Sequence, residues 1–140
     1  MFYKSIKYTL ASIALVASAS VGFAAEKAER LTGTQLEGYL KGNTVYIEIL
    51  PGKGAFGDGG LSPFYYGHDG KFVADLPAKK ITGTWKLSDD SSYCIELIAA
   101  NTTFCTDVFR KPTSIEHHSV GLKRLMGSVV RIVPGNDADL

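Results

Sequence analysis

Charge of one sign is what this chain lacks most plainly. Its 140 residues carry 15 Lys and Arg against 14 Asp and Glu, and the basic residues are adjacent only in pairs such as Lys79-Lys80 and Lys123-Arg124. Phosphate backbones are gripped by basic stripes or patches, so nucleic acid is not expected as a partner. Cysteine is nearly absent, with Cys94 and Cys105 the only two. They allow one bridge, and their separation is not the C-x-x-C at a helix start that activates a redox thiol. Serine is plentiful but never sits in G-x-S-x-G or S-x-x-K, so the common covalent hydrolase signatures are missing. There is no internal repeat and no linker that would divide the chain. After the N-terminal segment, no apolar run is long enough to cross a bilayer.

That segment has the three parts of a secretory leader. Lys4 and Lys7 make a positive start, Leu10 to Val21 form an apolar run diluted by Ala and Ser, and Gly22-Phe23-Ala24 supplies the small residues a signal peptidase needs. Residues 1–24 are therefore expected to be a signal peptide and 25–140 a single exported β-rich domain, periplasmic or secreted. No cysteine stands at the cleavage point to carry a lipid, and stable membrane insertion is not expected once the leader is removed. Cleavage takes away both lysines and leaves a nearly neutral protein of one-domain size, with one core and little surplus stability.

Along the remaining chain, Gly, Pro, Asn and Asp punctuate short runs rich in Val, Ile, Tyr, Phe and Thr, which is antiparallel β composition. The expected strands are Thr44 to Leu50, Phe64 to Gly67, Lys71 to Asp75, Ile81 to Leu87, Tyr93 to Ile98, Thr103 to Arg110, Ser114 to Ser119 and Val129 to Val133. Alternation turns Val45, Ile47 and Ile49, and Ile81, Trp85 and Leu87, toward the core. His68-Asp69-Gly70 reads as a tight turn. One helix precedes the strands: Thr34 and Glu37 form a capping box, Leu36 and Leu40 share a face, and Gly42 with Asn43 ends the helix, giving Thr34 to Lys41. The fold class is mainly β, a small antiparallel barrel-like or strongly curved sheet with one short N-terminal helix.

The cysteines set a register. With Cys94 opposite Cys105, residues Tyr93, Ile95 and Leu97 meet Thr106, Phe104 and Thr102 on a largely apolar face, while Ser92, Cys94 and Glu96 meet Asp107, Cys105 and Thr103 on a polar one. Ile98 to Asn101 become the connection, and a disulfide would join neighbouring strands from the outer face.

The succession L-T-G-T-Q-L, G-N-T-V-Y, F-Y-Y-G-H-D-G-K, T-G-T-W-K-L, Y-C-I-E-L, F-C-T-D-V-F and V-R-I-V-P-G-N behind a leader resembles small exported proteins of uncharacterised function found in alphaproteobacteria. Its anchors are Gly70, Gly83, Trp85, Cys94, Cys105, Gly135 and Asn136. The resemblance implies a periplasmic location and a disulfide, and carries no functional residues.

Gly52 to Gly57 matches G-x-G-x-x-G formally. That motif works by presenting pyrophosphate to a helix N-terminus, whereas Asp58-Gly59-Gly60-Leu61-Ser62-Pro63 follows here, so a surface loop is the better reading. Lys53, Phe56 and Asp58 on this loop are candidate contact residues for a partner. Tyr65, Tyr66 and Trp85 are candidate lining for a pocket, with core packing as the competing account. Glu116-His117-His118 alternate across a strand, which splits His117 from the other two and works against one metal ion collecting all three. No cofactor is expected. The leading expectation is a non-enzymatic module binding a small apolar ligand or an envelope protein. The alternatives are a small hydrolase or metal enzyme with His68, His117 and His118 in one cleft, or an inhibitor of a cell-wall enzyme.

Overall fold

A computed structural model describes residues 27–52, 57–89 and 91–140. The expected leader and cleavage site, together with Lys53 and Phe56, lie outside the described residues.

Among the described residues, nine strands and one α-helix follow in the order β1 (Glu29–Arg30), α1 (Gly33–Leu40), β2 (Asn43–Ile49), β3 (Gly60–Tyr66), β4 (Lys71–Asp75), β5 (Lys80–Ser88), β6 (Ser92–Leu97), β7 (Thr102–Arg110), β8 (Ile115–Ser119) and β9 (Arg124–Pro134). From β2 to β9 every strand pairs antiparallel with the next in sequence, and β9 returns to pair with β2. The result is a closed eight-stranded up-and-down barrel with β1 as an extra strand on β7. Closure removes the free edges that a curved open sheet would leave.

All eight strands read from the sequence are present, Lys71–Asp75 with the expected limits and the others with shifted ones. β3 begins at Gly60 rather than Phe64, because the glycine and proline there hide strand character. The β3–β4 ladder stops at Phe64, so Pro63 lies beyond it and the N–H it lacks has no partner there to miss. β9 begins at Arg124 rather than Val129 and carries a bulge: Tyr46 faces Arg131 and Ile47 faces Val129, leaving Val130 as the extra residue. β1 has no apolar signal. Its two charged residues are held by ion pairs of Arg30 with Asp107 and of Glu29 with Arg110.

The helix departs from the capping-box reading. It runs Gly33–Leu40, its N-cap is Thr32, and no side chain caps it. The physical reason lies upstream: Leu31 is fully buried and its N–H donates to the Val108 carbonyl at 2.8 Å. That anchor fixes where the helix begins, and Thr32 accepts its first bonds, from Gln35 and Leu36. Glu37, freed from capping, pairs with Lys41 at 3.0 Å. The C-terminal reading holds. Gly42 takes φ +73° with the His68 ring packed against it, and the Asn43 side-chain amide donates to the carbonyls of Gly38 and Tyr39.

Inward positions are those that alternation selects. Val45, Ile47, Ile49, Ile81 and Trp85 belong to the buried core, and Leu87 packs against it. β5 would be a continuous inner row but for Gly83, where a Cβ would lie 2.1 Å from the Glu96 carbonyl oxygen of β6. Backbone cannot yield as a side-chain tip can, so Gly83→Ala is expected to destabilise by about 2–3 kcal/mol in urea melts.

The disulfide forms in the expected register. Cys94 faces Cys105, Tyr93 faces Thr106, Ile95 faces Phe104 and Leu97 faces Thr102. A short 3-10 turn at Ile98–Ala100 and Asn101 in the left-handed region make the connection.

Candidate functional site

Consecutive hairpins sort the connections into two sets. The β3–β4, β5–β6 and β7–β8 turns lie at the end from which α1 enters β2, and α1 is packed there by Leu36, Tyr39 and Leu40. The β2–β3, β4–β5, β6–β7 and β8–β9 connections lie at the other end.

At the helix end the interior is aromatic and polar at once. Tyr66 meets Phe72, Trp85 and Tyr93 at ring-centroid distances of 5.4, 5.7 and 5.4 Å, all tilted or edge-on, as ring quadrupoles prefer. Into this cluster β8 sends His117, which is 1% exposed. Its Nε2 lies 2.9 Å from the Tyr39 hydroxyl and its Nδ1 lies 2.8 Å from the Tyr93 hydroxyl. Tyr66 in turn donates to Tyr93 at 3.1 Å. A neutral imidazole has one N–H, so one of the flanking hydroxyls donates to the ring and the other accepts from it. Helix, β3, β6 and β8 are thereby joined by one buried chain. Burial drives the His117 pKa from 6.5 down to about 3, with a smaller contribution from His118, so the ring is neutral at pH 7. Burial also pushes Tyr93 up to about 12 and raises Tyr39 and Tyr66. Groups this resistant to gaining or losing a proton are suited to holding strands in place rather than to acid–base exchange.

The three histidines do not meet. His117 is interior; His118 lies on the outer face, its Nε2 2.8 Å from Glu116 and its ring 4.9 Å edge-on from Phe109; His68 is exposed in the β3–β4 turn against Gly42. The split of His117 from Glu116 and His118 follows strand alternation as read from the sequence. Hydrogen bonds from Lys111 and then His118 hold the Glu116 carboxyl below the usual range. Among the described residues no three His, Cys, Asp or Glu side chains gather as a metal site would need.

No family model, curated protein or solved structure matches the chain. Its chemistry therefore has to be read from its own surfaces.

Of the candidate pocket residues, Tyr66 and Trp85 come together in the core, where the Trp85 indole N–H donates to the Gly67 carbonyl at 2.9 Å. Tyr65 lies on the opposite face of β3, across from Thr44 and Val73. Further along β3, Ser62 also faces inward and is fully buried, and its hydroxyl has no hydrogen-bond partner. Ser62→Ala is expected to raise stability by about 1 kcal/mol in denaturant melts, since it removes an unsatisfied polar group without opening much space. A loss of stability would show that the hydroxyl has a partner in solution.

The loop end has a different character. Leu50 and Leu61 flank the β2–β3 connection, Ile98 begins the β6–β7 turn, and Val120 and Leu122 form the β8–β9 turn. These five are 36, 51, 71, 40 and 56% exposed. The only other large exposed hydrophobics among the described residues are Val130 and Ile132 on β9. Asp58 of the glycine-rich loop is exposed at this same end. Sequence reasoning singled out that loop but missed Ile98, Val120 and Leu122. Each is a lone apolar residue at a turn, and it is the successive β6–β7–β8–β9 pairings that put the two turns at one end.

Proposed function

We propose that the protein is an exported, non-enzymatic binding module whose contact surface is the loop end of the barrel. The observation that carries this reading is the presence of five exposed aliphatic side chains on or beside three connections at one end, opposite an end plugged by α1. Solvated aliphatic clusters of this kind mark interaction sites. Loops on a closed, stapled scaffold can vary in sequence without disturbing the core.

The leader-like N-terminus, the resemblance to small exported alphaproteobacterial proteins and the Cys94–Cys105 bridge support export into a periplasmic or extracellular setting. Among the described residues no helix is long and apolar enough to cross a membrane.

The test is photo-crosslinking in the producing cell, with Ile98 or Leu122 replaced by benzoylphenylalanine and Glu37 on α1 replaced as the control. Adducts at positions 98 and 122 and none at 37 are expected. Equal labelling at all three positions, or none at the loop end, would remove the proposal.

A further inference from the structure

We infer that the carboxyl-terminal half of β9 pairs with the same segment of a second copy of this chain, antiparallel and about a two-fold axis at Ile132. Barrel closure leaves this stretch open on one side. β9 pairs with β2 from Gly127 to Pro134, but its ladder with β8 ends where Ser128 faces Glu116. The β7–β8 hairpin has already turned back at that level, with the Lys111 N–H donating to the Ser114 carbonyl at 2.8 Å. Residues 129–134 therefore have β2 on one flank and, among the described residues, no strand on the other. No other described strand outruns a ladder by as much. Backbone groups point alternately to the two flanks of a strand. The Gly135 N–H donates to the Gly42 carbonyl and the Leu50 N–H to the Met126 carbonyl, which sets the phase: Arg131 and Val133 bond to β2, and Ile132 turns its N–H and C=O to the open flank. Pro134, next in that phase, has no N–H to leave unpaired there.

Unpaired donors and acceptors on extended backbone are completed by another extended chain, so the occupant of this flank is a strand. The segment is its own complement. Turned about an axis at Ile132, that residue meets its counterpart and Arg131 meets Val133 on both sides, so no like charges are opposed, and Pro134 ends the match. Strand edges are commonly guarded by a charge, and here the one charged side chain of the stretch is held elsewhere. The Arg131 guanidinium lies 4.0 Å from the Tyr46 ring centroid and 3.9 Å from the Asp137 carboxylate, beside β2. What remains is aliphatic: Val130 and Ile132 are 60 and 37% exposed, and pairing brings them against the same residues of the second copy. This flank lies toward the helix end of the barrel, so the inference stands apart from the reading of the loop end.

The experiment is sedimentation velocity of the purified chain between about 1 and about 500 μM, because a strand pair about 20 Å long makes a small and weak interface. A monomer–dimer equilibrium is the expected result. Ile132→Lys and Ile132→Glu each oppose like charges at the axis and should weaken the dimer by about tenfold, and mixing the two variants in equal amounts should restore it. Circular dichroism checks that both are folded. Ile132→Cys should cross-link to itself under mild oxidation, since residues opposed across the axis lie about 5.5 Å apart at Cα, while Leu122→Cys at the loop end should not. If the charged variants unfold, the cross-link at position 132 decides alone. A chain that stays monomeric throughout would overturn the inference, as would a dimer indifferent to charge at position 132 or one not recovered on mixing. Cross-linking at 122 in place of 132 would also overturn it, and would place self-association at the loop end.

Discussion

Replacing His117 with alanine is expected to cost about 4 kcal/mol, a large part of the roughly 5–15 kcal/mol that holds a domain of this size together. The substitution empties a ring-sized volume in a fully packed region and leaves the hydroxyls of Tyr39 and Tyr93 facing a void. Tyr39→Phe should be milder, at about 1–2 kcal/mol, because it strips a partner from one ring nitrogen only. The same histidine gives the protein an acid limit. Its pKa is 6.5 when unfolded and about 3 in the barrel. Between those values the unfolded chain binds a proton that the native ring refuses. Its contribution to stability is therefore intact above pH 6.5 and is lost as the pH falls toward 3, at up to about 1.4 kcal/mol per pH unit. Glu116, held ionised by Lys111 and His118, adds to the loss once the pH falls below the ordinary carboxylate range. The phenols facing His117 remain neutral throughout. Urea melts from pH 7 to pH 4 on the native chain and on His117→Gln check this. The variant should start less stable and decline less steeply between pH 6.5 and 4. Parallel declines would show that the folded ring takes up a proton.

Loss of the bridge is the second large effect. Cys94→Ala with Cys105→Ala is expected to destabilise by about 3 kcal/mol and to lower the melting temperature by more than about 10 °C. The bond closes a loop with a sequence separation of 11 between strands already paired in register. Its effect is chiefly on the unfolded chain, whose freedom it limits, and the native barrel should survive its removal with unchanged far-ultraviolet circular dichroism. Thermal melts with and without a reductant should reproduce the difference between the native chain and the double variant. A free-thiol titration of the folded, unreduced protein that found two reactive thiols would refute the bridge itself.

The parts of the fold that were legible in the sequence are those that local chemistry dictates. Alternation placed Val45, Ile47 and Ile49 inside, and the contrast between the faces of Tyr93–Leu97 and Thr102–Thr106 set the register of the hairpin. Less legible were features that exist only because distant segments meet. The helix begins where Leu31 is pinned to Val108, not where the best capping box lies. β1 is two charged residues made into a strand by β7. The network of Tyr39, Tyr66, Tyr93 and His117 draws on four elements, and nothing around any one of those residues announces the others. The sequence separated His117 from His118 correctly by period-2 alternation, but which of them faced inward depended on how the barrel curves. The exposed rim follows the same logic, since Ile98 and Leu122 stand on separate turns that the β7–β8 pairing puts at one end of the barrel.

That completion has its own kinetic meaning. The seam joins β9 to β2, and past it Gly135 donates to Gly42 while Asp137 accepts from Tyr46 and donates its N–H to Thr44. Until residues 124–134 have emerged, β2 and β8 each present a bare flank to whatever else is nearby. A chain that emerges amino end first therefore begins as an unsealed ribbon and becomes self-contained only when β9 arrives.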